Sequence, residues 1–412
     1  MSRARSREFD VLIVGAGVIG LAAAGVLLAR KVCTAGRVAV IADRFAVPPA
    51  VDSDWDLRVF AMSRASERVL KICGIWDSLP SNRVFPYERM CVWDAGGSAT
   101  GSGALTFDCA QIGEPNLGCI VDAKALAWQC LQAARALGVV LIEGGVAAVV
   151  PGDEEIMLRL EDGRELRGSL LAAADGTESK TRELLGIETA GHAYHQDALV
   201  AHVRTAFPHA NTAWQRFLIS GPVAFLPLND GRCSIVWSVE RSQADRLRAM
   251  DRDAFGEALT AASGEALGRC TLASKLAAFP LKLQYAVDYA RPRAVLLGDA
   301  AHVVHPLAGQ GLNLGLLDCA ALAQVLGDAP GADNFGDMKI LRRYERWRRS
   351  ENLVAAAALD GLERLFSDSS ALSAGLRTAG LSTVARMPFL KRSFAQRALG
   401  LTGDVPEFLK AV

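Results

Sequence analysis

Hydrophobic residues near the start of the chain form short unbroken runs. These runs predict a strand at Val11–Val14, a helix from about Val18 to Arg30 and a second strand at Arg37–Ile41. Continuous apolar strands are typical of parallel sheets, because helices cover both of their faces. The order strand, helix, strand therefore predicts the opening of a doubly wound α/β fold.

A different pattern, in which apolar and polar residues alternate, extends from about residue 196 to residue 284. The strands that it predicts are Ala198–Val203, Arg216–Ile219, Val223–Leu228, Cys233–Val239 and Leu276–Leu283. Alternation of this kind indicates an antiparallel sheet with one packed face, and hence a separate domain. A charged helix-like stretch at 241–267 interrupts the region, and the run Arg293–Leu297 predicts a return to the first sheet.

Helical patterns account for much of the remaining chain. The predicted elements are a helix at 57–79, a helix at 122–137, a strand at 139–142 and a hairpin-like stretch at 147–171. From Pro330 onward we expect helices. The basic run at 342–349 is interpreted as a solvated helix face, with Leu341 and Tyr344 turned inward.

Charge and cysteine content narrow the classes of function. Lys plus Arg equals Asp plus Glu at 45 each, so no overall field would draw the chain to nucleic acid or to an anionic bilayer. The nine cysteines are odd in number and never spaced as Cys-x-x-Cys. This pattern favours reduced thiols in a cytoplasmic protein and argues against a zinc site or a dithiol flavoenzyme centre.

The run Val11–Ala29 is uncharged over 19 residues and follows a basic start, which also suits a membrane anchor or a signal peptide. As a helix it would reach about 28 Å, close to the hydrocarbon thickness of a bilayer. Four glycines, at positions 15, 17, 20 and 25, interrupt the run. The spacing of the first three favours a strand, a turn and a helix instead.

These three glycines form the motif Gly15-Ala16-Gly17-Val18-Ile19-Gly20, after a strand and at the start of a helix. In such a turn the first glycine allows the tight bend, the second lets backbone approach a pyrophosphate, and the third lets helix and strand pack closely. The helix start supplies free N–H groups and partial positive charge. Asp43, at the end of the second strand, is placed to accept from a ribose hydroxyl. A turn that serves packing alone is the alternative.

Two later strand ends carry polar motifs. Asp175-Gly176 follows an apolar run, although an ordinary turn would also explain this pair. Gly298-Asp299 ends the run at 293–297, and Asp299 is placed to accept from ribityl or ribose hydroxyls. Further on, glycines at 309 and 311 leave N–H groups bare before a helix, where they would stabilise the negative charge of a reduced isoalloxazine.

Together these motifs resemble the class A flavoprotein aromatic monooxygenases, whose fold is that of para-hydroxybenzoate hydroxylase. The trio of Gly15–Gly20, Asp175-Gly176 and Gly298-Asp299 carries the likeness. Segment 305–318, His-Pro-Leu-Ala-Gly-Gln-Gly-Leu-Asn-Leu-Gly-Leu-Leu-Asp, is similar to the signature of the ubiquinone-biosynthesis hydroxylases, and looks closest to the branch that hydroxylates polyprenylphenols. Further matches extend the likeness over nearly the whole chain.

The resemblance implies an α/β fold: a Rossmann-like FAD-binding domain, an inserted antiparallel substrate domain and C-terminal helices. The implied division is 1–80, 105–190 and 285–330 for the FAD-binding domain, 81–104 and 191–284 for the substrate domain, and 331–412 for the helical region. The implied FAD-binding residues are Gly15, Ala16, Gly17, Gly20, Asp43, Arg44, Arg58, Asp175, Gly298, Asp299, Pro306, Gly309, Gly311 and Asn313.

The implied activity is hydroxylation of the ring of a polyprenylated phenol or quinol in ubiquinone biosynthesis. FAD, reduced by a visiting NADH or NADPH, would capture O2 as a flavin hydroperoxide. The implied location is cytoplasmic, with a peripheral contact to the inner membrane or to partners of a ubiquinone-biosynthesis complex left open. Two other functions stay open: a flavin reductase or dehydrogenase on a hydrophobic substrate, and a non-catalytic scaffold of that complex.

No general base stands out in the sequence. His305 is the nearest candidate by motif position, and its imidazole would titrate near neutral pH. We favour a structural role for it, in support of the Pro306 loop. One departure from the family concerns the second strand, where a Glu-x-Arg ending is usual and the chain has Ala42-Asp43-Arg44. Either Asp43 has taken the ribose contact, or the adenosine end is held less tightly.

The last notable segment is 389–399. As a helix it would place Leu390, Phe394 and Ala398 on one side, away from the basic residues Lys391, Arg392 and Arg397. A basic amphipathic helix can lie on a bilayer or dock on a partner. An ordinary terminal helix packed on the core is the alternative.

Overall fold

The computed structural model describes residues 8–50, 53–101, 103–304, 309–367 and 387–410. Its strands are β1 (Phe9–Val14), β2 (Val38–Ala42), β3 (Val59–Met62), β4 (Val84–Tyr87), β5 (Arg89–Asp94), β6 (Leu105–Asp108), β7 (Gly118–Asp122), β8 (Val140–Glu143), β9 (Val146–Pro151), β10 (Ile156–Leu160), β11 (Glu165–Ala173), β12 (Thr189–Thr205), β13 (Thr212–Phe217), β14 (Val223–Pro227), β15 (Cys233–Glu240), β16 (Cys270–Leu272), β17 (Ala277–Ala286), β18 (Ala290–Arg291), β19 (Ala294–Leu296) and β20 (His302–Val303). Its helices are α1 (Val18–Ala29), α2 (Arg64–Ile72), α3 (Cys109–Ile112), α4 (Ala123–Ala136), α5 (Lys180–Leu184), α6 (Arg241–Ala249), α7 (Arg252–Ala262), α8 (Gln310–Gly327), α9 (Met338–Ser367), α10 (Pro388–Ala398) and α11 (Glu407–Lys410).

The first sheet has the order β18-β19-β11-β1-β2-β8, with the hairpin of β9 and β10 beside β11. Its central strands pair in parallel. Along β1, Val11 and Ile13 pack into a core with helices α1, α4 and α8, while Leu12 and Val14 pack into a second core on the other face. Because both faces are covered, β1 is apolar from Val11 to Val14, and the predicted doubly wound α/β fold is confirmed.

The second sheet has the order β20-β17-β12-β15-β14-β13-β5-β6, with β16 beside β12. Its odd-numbered residues on β12 and β15, such as Leu199 and Ile235, pack against α6 and α7 and form the outer face. The even-numbered residues of these strands form the opposite face, which we call the inner face. Phe217 of β13 packs in one cluster with Leu314 of α8, so the inner face turns toward that helix.

The structure adds detail to two predictions within this region. The stretch 241–267 is two helices, because Asp251 caps the start of α7 and accepts from the N–H of Ala254. Strand β6 pairs with β5 in the second sheet, although 105–190 was predicted to belong to the FAD-binding domain. The rest of the domain division stays a prediction.

A small third sheet has the order β3-β7-β4. Its strand β3 lies within the region 57–79, which was predicted to be helical. The prediction is wrong for Val59–Met62, because these residues pair with β7. The helix α2 begins only after Ser63, whose side chain accepts from the N–H of Ser66. A cap of this kind fixes where a helix starts.

The apolar run Val11–Ala29 does not form one helix, because it is divided between β1, the glycine turn and α1. Within the described ranges, no helix combines the length and apolar character needed to cross a membrane. All nine cysteines are unpaired and buried. Burial raises the pKa of the Cys73 thiol to about 12, which keeps it protonated and unreactive at neutral pH.

Candidate active site

Four sequence motifs meet at one edge of the first sheet. Strands β1, β2, β11 and β19 run parallel, so their carboxyl ends lie on the same side. Gly15 follows β1, Asp43 follows β2, Asp175 follows β11 and Gly298 follows β19. Ligands of open α/β sheets bind outside this edge, so the fold brings distant motifs together where a cofactor binds.

The glycines of the first turn have different roles. Gly15 has a φ of +111°, and a Cβ on it would lie 2.3 Å from the carbonyl oxygen of Ala174. A Cβ on Gly20 would lie 1.9 Å from the carbonyl oxygen of Gly15. These two glycines, on either side of Ala16, allow α1 to pack closely on the sheet. Around Gly17, in contrast, no described atom lies within 4 Å of the Cβ position, so this residue borders open space.

The helices α1 and α8 begin without a side-chain cap, at Gly17 and at Gly309. Helices α2 and α4 differ, because Ser63 and Asp122 accept N–H groups at their starts. At Gly311, in the first turn of α8, no described atom lies within 4 Å of the Cβ position. The N–H groups at the start of α1, the N–H of Gly311 and the dipoles of both helices can therefore bind negative charge.

Asn313 fixes the start of α8 against β3. Its Nδ2 donates to the carbonyl oxygens of Ala61 at 2.9 Å and Gly309 at 3.0 Å. Its Oδ1 accepts from the N–H of Ser63 at 2.9 Å and from the hydroxyl of Ser66 at 2.7 Å. Both donors and both lone pairs of the amide are used within the protein. The structure thus gives the Asn313 side chain a positioning role, and its contact with FAD stays a prediction.

Asp299 presents a carboxylate to the open edge. It follows Gly298, which has a φ of +56°, and its side chain is exposed. The hydroxyl of Thr177 lies 3.4 Å from its Oδ2. Surrounding protein raises the pKa of this carboxyl by desolvation, while His302 and Arg58 lower it. The charge of Arg58 thus acts on Asp299, and the exposed carboxylate can accept from hydroxyl groups of a ligand.

A buried polar network below this turn was missed in the sequence. Oδ2 of Asp318, on α8, accepts from the N–H of Gly298 at 3.1 Å and lies 2.7 Å from Nε2 of His302. Its Oδ1 accepts from Nε of Arg348 at 2.7 Å and from Nδ2 of Asn352 at 3.1 Å. Burial alone would raise the pKa of Asp318, but His302 and Arg348 lower it to about 2. The available signal was an acidic residue within an apolar helix, which requires a buried partner.

The second strand ends as predicted, in exposed residues Asp43 and Arg44. An oxygen of Asp43 lies 3.0 Å from the position that a Cβ on Gly145 would take, so the carboxylate turns toward the connection between β8 and β9. Ala42 is in register with Glu143 at the end of β8. Asp43 thus lies at the predicted edge, and its ribose contact stays a prediction.

Asp175 is used within its own turn. Its carboxylate accepts from the hydroxyl of Ser179 and from the N–H of Thr181, at the start of α5. It therefore shapes the turn after β11, and its contact with FAD stays a prediction. His305 and Pro306 lie outside the described residues, so their predicted roles stay predictions as well.

An apolar space borders the start of α8. Ala224, Leu226 and Val236 lie on the inner face of central strands, yet they remain partly exposed. Residues in the middle of a sheet are exposed only where open space lies above them. We call Ala224, Leu226 and Val236 the inner-face patch. Leu226 belongs to one cluster with Ala61. A Cβ on Gly309 would lie 3.2 Å from the Cβ of Ala61, so this cluster connects the patch with the helix start.

These residues fit an FAD molecule. Beside Gly17 the structure offers free N–H groups and the open space that a pyrophosphate needs. Asp299 offers an exposed acceptor for hydroxyl groups. The start of α8 at Gly311 offers N–H groups for the pyrimidine edge of the isoalloxazine.

Comparisons with known proteins agree with this site. The profile of the FAD binding domain family matches residues 121–358. The 3-demethoxyubiquinol 3-hydroxylase of Escherichia coli (strain K12) is 32% identical to this chain over 396 residues, which cover 95% of this chain and 98% of that protein. The ubiquinone hydroxylase UbiL of Rhodospirillum rubrum is 34% identical, over 97% of this chain and 91% of that protein.

Among solved structures, p-nitrophenol 4-monooxygenase PnpA from Pseudomonas putida DLL-E4 matches with a TM-score of 0.72. The match covers 94% of this chain and 97% of that chain, at 18% identity. A likeness at this identity shows the fold alone. With the family profile, it confirms the fold class and the FAD cofactor that were predicted from the sequence.

Proposed function

Because this chain belongs to the family of FAD-dependent ubiquinone-biosynthesis hydroxylases, we propose that it hydroxylates the aromatic ring of a polyprenylated phenol or quinol. The observation that carries this proposal is the apolar space over the inner-face patch, next to the start of α8. An apolar space suits a prenylated ring. It also excludes water from the reacting atoms, as oxygen transfer requires.

In this proposal the residues of the chain bind and orient the reactants. The N–H groups beside Gly17 hold the pyrophosphate, Asp299 accepts from hydroxyl groups of the cofactor, and the start of α8 faces the flavin ring. Bound FAD, once reduced by NADH or NADPH, supplies an activated oxygen atom from O2. The nicotinamide is proposed to visit transiently, because the sequence contains a single G-x-G-x-x-G motif.

We also propose a peripheral contact with a membrane, since a polyprenylated substrate resides there. This contact would let the ring leave the bilayer and enter the apolar space without crossing water. Support comes from α10, where Phe389 and Phe394 are 80% and 56% exposed beside basic residues. Helices with this composition bind bilayers that carry negative charge.

The test uses the purified holoprotein with 2-prenylphenol in detergent micelles, NADH or NADPH, and isotope-labelled O2. We expect a hydroxylated product that carries one labelled oxygen atom, detected by mass spectrometry. NAD(P)H oxidation without oxygen in the phenol would instead indicate a reductase or dehydrogenase. Failure to retain flavin after gentle purification would favour a scaffold. The quinone precursor that accumulates when the gene is deleted then identifies the natural substrate.

A further inference from the structure

Two polar side chains on the inner face have no role in the FAD site. His202 of β12 and Ser234 of β15 are paired in register across these two strands. His202 is 1% exposed and Ser234 is fully buried. Neither ring nitrogen of His202, nor the hydroxyl of Ser234, forms a hydrogen bond with any part of the chain that the structure describes. Unpartnered buried polar groups cost free energy, and they call for a partner that the described residues do not supply.

The pair adjoins the apolar space. Ser234 is in register with Leu226 on its other side, and it precedes Val236 by two residues on the same face. Side chains in register on neighbouring antiparallel strands have Cβ atoms about 4.5–5.5 Å apart. A ring above the inner-face patch would therefore lie beside Ser234, with His202 one strand further away. Both side chains are covered in this structure, so the ring reaches them only after that cover moves.

We propose that His202 and Ser234 receive the hydroxyl group of the aromatic substrate, with Ser234 hydrogen-bonded to the phenol oxygen and His202 as the base. This proposal rests on the proposed function. The O–H bond of the phenol breaks, its electron pair stays on oxygen, and the proton moves to a ring nitrogen of neutral His202. The phenolate oxygen then donates electron density into the ring, which makes the ring carbon a better nucleophile toward oxygen. The proton returns to the product phenol as the product leaves.

The charges around His202 favour the neutral imidazole that a base requires. Burial lowers the pKa of His202, and the charge of Arg232 lowers it further. Asp54, Asp230 and Asp122 act in the opposite direction. Arg232 donates to both Asp54 and Asp230, so its charge offsets part of theirs, and burial remains the largest influence on the pKa of His202. Activity should therefore be full above the pKa of His202 and should fall as the pH drops through it, because an imidazolium cannot accept the proton.

The test compares His202→Asn and Ser234→Ala with His195→Asn as the matched control. His195 lies on the same strand, is exposed and has a φ of +55°, which asparagine tolerates well. FAD content is measured first, then kcat and KM for 2-prenylphenol across a range of pH. For His202→Asn we expect kcat to fall roughly a hundredfold and the acid limb of the pH profile to disappear. For Ser234→Ala we expect KM to rise about tenfold, from the loss of one hydrogen bond.

A second measurement guards against a variant that does not fold. Binding of 2-prenylphenol to the oxidised holoprotein is followed by the change in flavin absorption. The decisive variant in this measurement is Ser234→Ala, because it removes only the hydroxyl oxygen and is expected to fold. If the wild type hydroxylates 2-prenylphenol and both variants keep its KM and pH profile, the pair is not the phenol site and the proposed function stands. If the wild type binds 2-prenylphenol in a Ser234-dependent way but forms no hydroxylated product, the phenol site is supported and the proposed function is wrong.

Discussion

At the scale of single residues, Gly17 separates cofactor binding from packing within the glycine turn. A Cβ at this position meets open space, unlike a Cβ on Gly15 or Gly20. We therefore expect Gly17→Val to fold normally but to purify without its yellow colour, because the new side chain fills the space of the pyrophosphate. Flavin absorption per mole of protein measures the effect.

The matched control for this prediction is Gly361→Val in α9, an exposed glycine that also has no described atom within 4 Å of its Cβ position. This variant should keep its flavin. Full FAD occupancy in Gly17→Val would show that the pyrophosphate lies elsewhere. Unfolding of Gly17→Val would show that the turn needs glycine for packing at this position too.

Asp43 is the second residue whose role can be isolated. It is exposed at the end of β2, next to the position where the family usually has glutamate and this chain has Ala42. If Asp43 holds the ribose, Asp43→Ala should weaken FAD binding by about tenfold, since a hydrogen bond to a charged group contributes roughly 1.5 kcal/mol or more. Titration of the apoprotein with FAD measures the affinity. Asp253→Ala, an exposed change on α7, should leave it unaltered.

The paired variant of Asp43→Ala is Ala42→Glu, which restores the usual family residue. If the wild type binds FAD tightly, a glutamate at position 42 is not required. The Ala42→Glu variant should then bind FAD little more tightly than the wild type does. Should Asp43→Ala bind FAD as the wild type does, the acidic ribose contact is absent from this protein, and the adenosine end depends on other groups.

At the scale of elements, α9 joins α8 through the buried charge of Arg348. The sequence predicts a solvated face for 342–349, and this holds for Arg346, but Arg348 is only 2% exposed. We expect Arg348→Met to lower the free energy of unfolding by about 3–5 kcal/mol, because Asp318 then remains buried without its cation. The same change at exposed Arg346 should cost within about 0.5 kcal/mol. Denaturant unfolding of both holoproteins distinguishes the two, and equal stabilities would mean that the ion pair contributes nothing.

The elements show where sequence reasoning succeeds. Hydrophobic periodicity and glycine spacing predicted β1, α1 and β2 closely, because each element is specified by its own residues. The helix predicted at 57–79 was partly wrong, because Val59–Met62 form a strand only through pairing with β7. Such pairing depends on residues that are distant in sequence. The burial of Arg348 has the same origin, since its partner Asp318 lies on another helix.

At the scale of the whole molecule, the site depends on how two sheets face each other. The motifs at the edge of the first sheet could be found from sequence, because each follows a strand directly. The inner face could not be found in this way. Alternation indicates that β12 and β15 have two faces, but only the packing of α6 and α7 decides that His202 and Ser234 point away from them. The unpartnered state of these side chains is likewise a property of the assembled sheet.

The tail illustrates the same dependence. The sequence predicted an apolar side at Leu390, Phe394 and Ala398; the side chain of Leu390 lies outside the described residues, while Phe394 and Ala398 are exposed. It is Ala395 and Leu399 that pack on the body of the protein, in a cluster with α3. The two roles predicted for the helix are therefore compatible. The face with Ala395 and Leu399 packs on the protein, while the face with Phe394 is available for a bilayer or a partner. Deletion of 385–412 would not test them, because it also removes Leu409 from the main core.

Point variants on the exposed face of α10 test the membrane contact without disturbing that core. We expect Phe389→Ser combined with Phe394→Ser to reduce binding to phosphatidylglycerol vesicles at least tenfold, since burial of each phenylalanine contributes about 1.5–3 kcal/mol. Cosedimentation measures binding, and Phe207→Ser, at a position 59% exposed just after β12, is the matched control. Hydroxylation of 2-prenylphenol in micelles should persist in the double variant, because the FAD site is untouched. Unchanged vesicle binding would exclude this face as the membrane contact, and loss of flavin would make α10 a structural element instead.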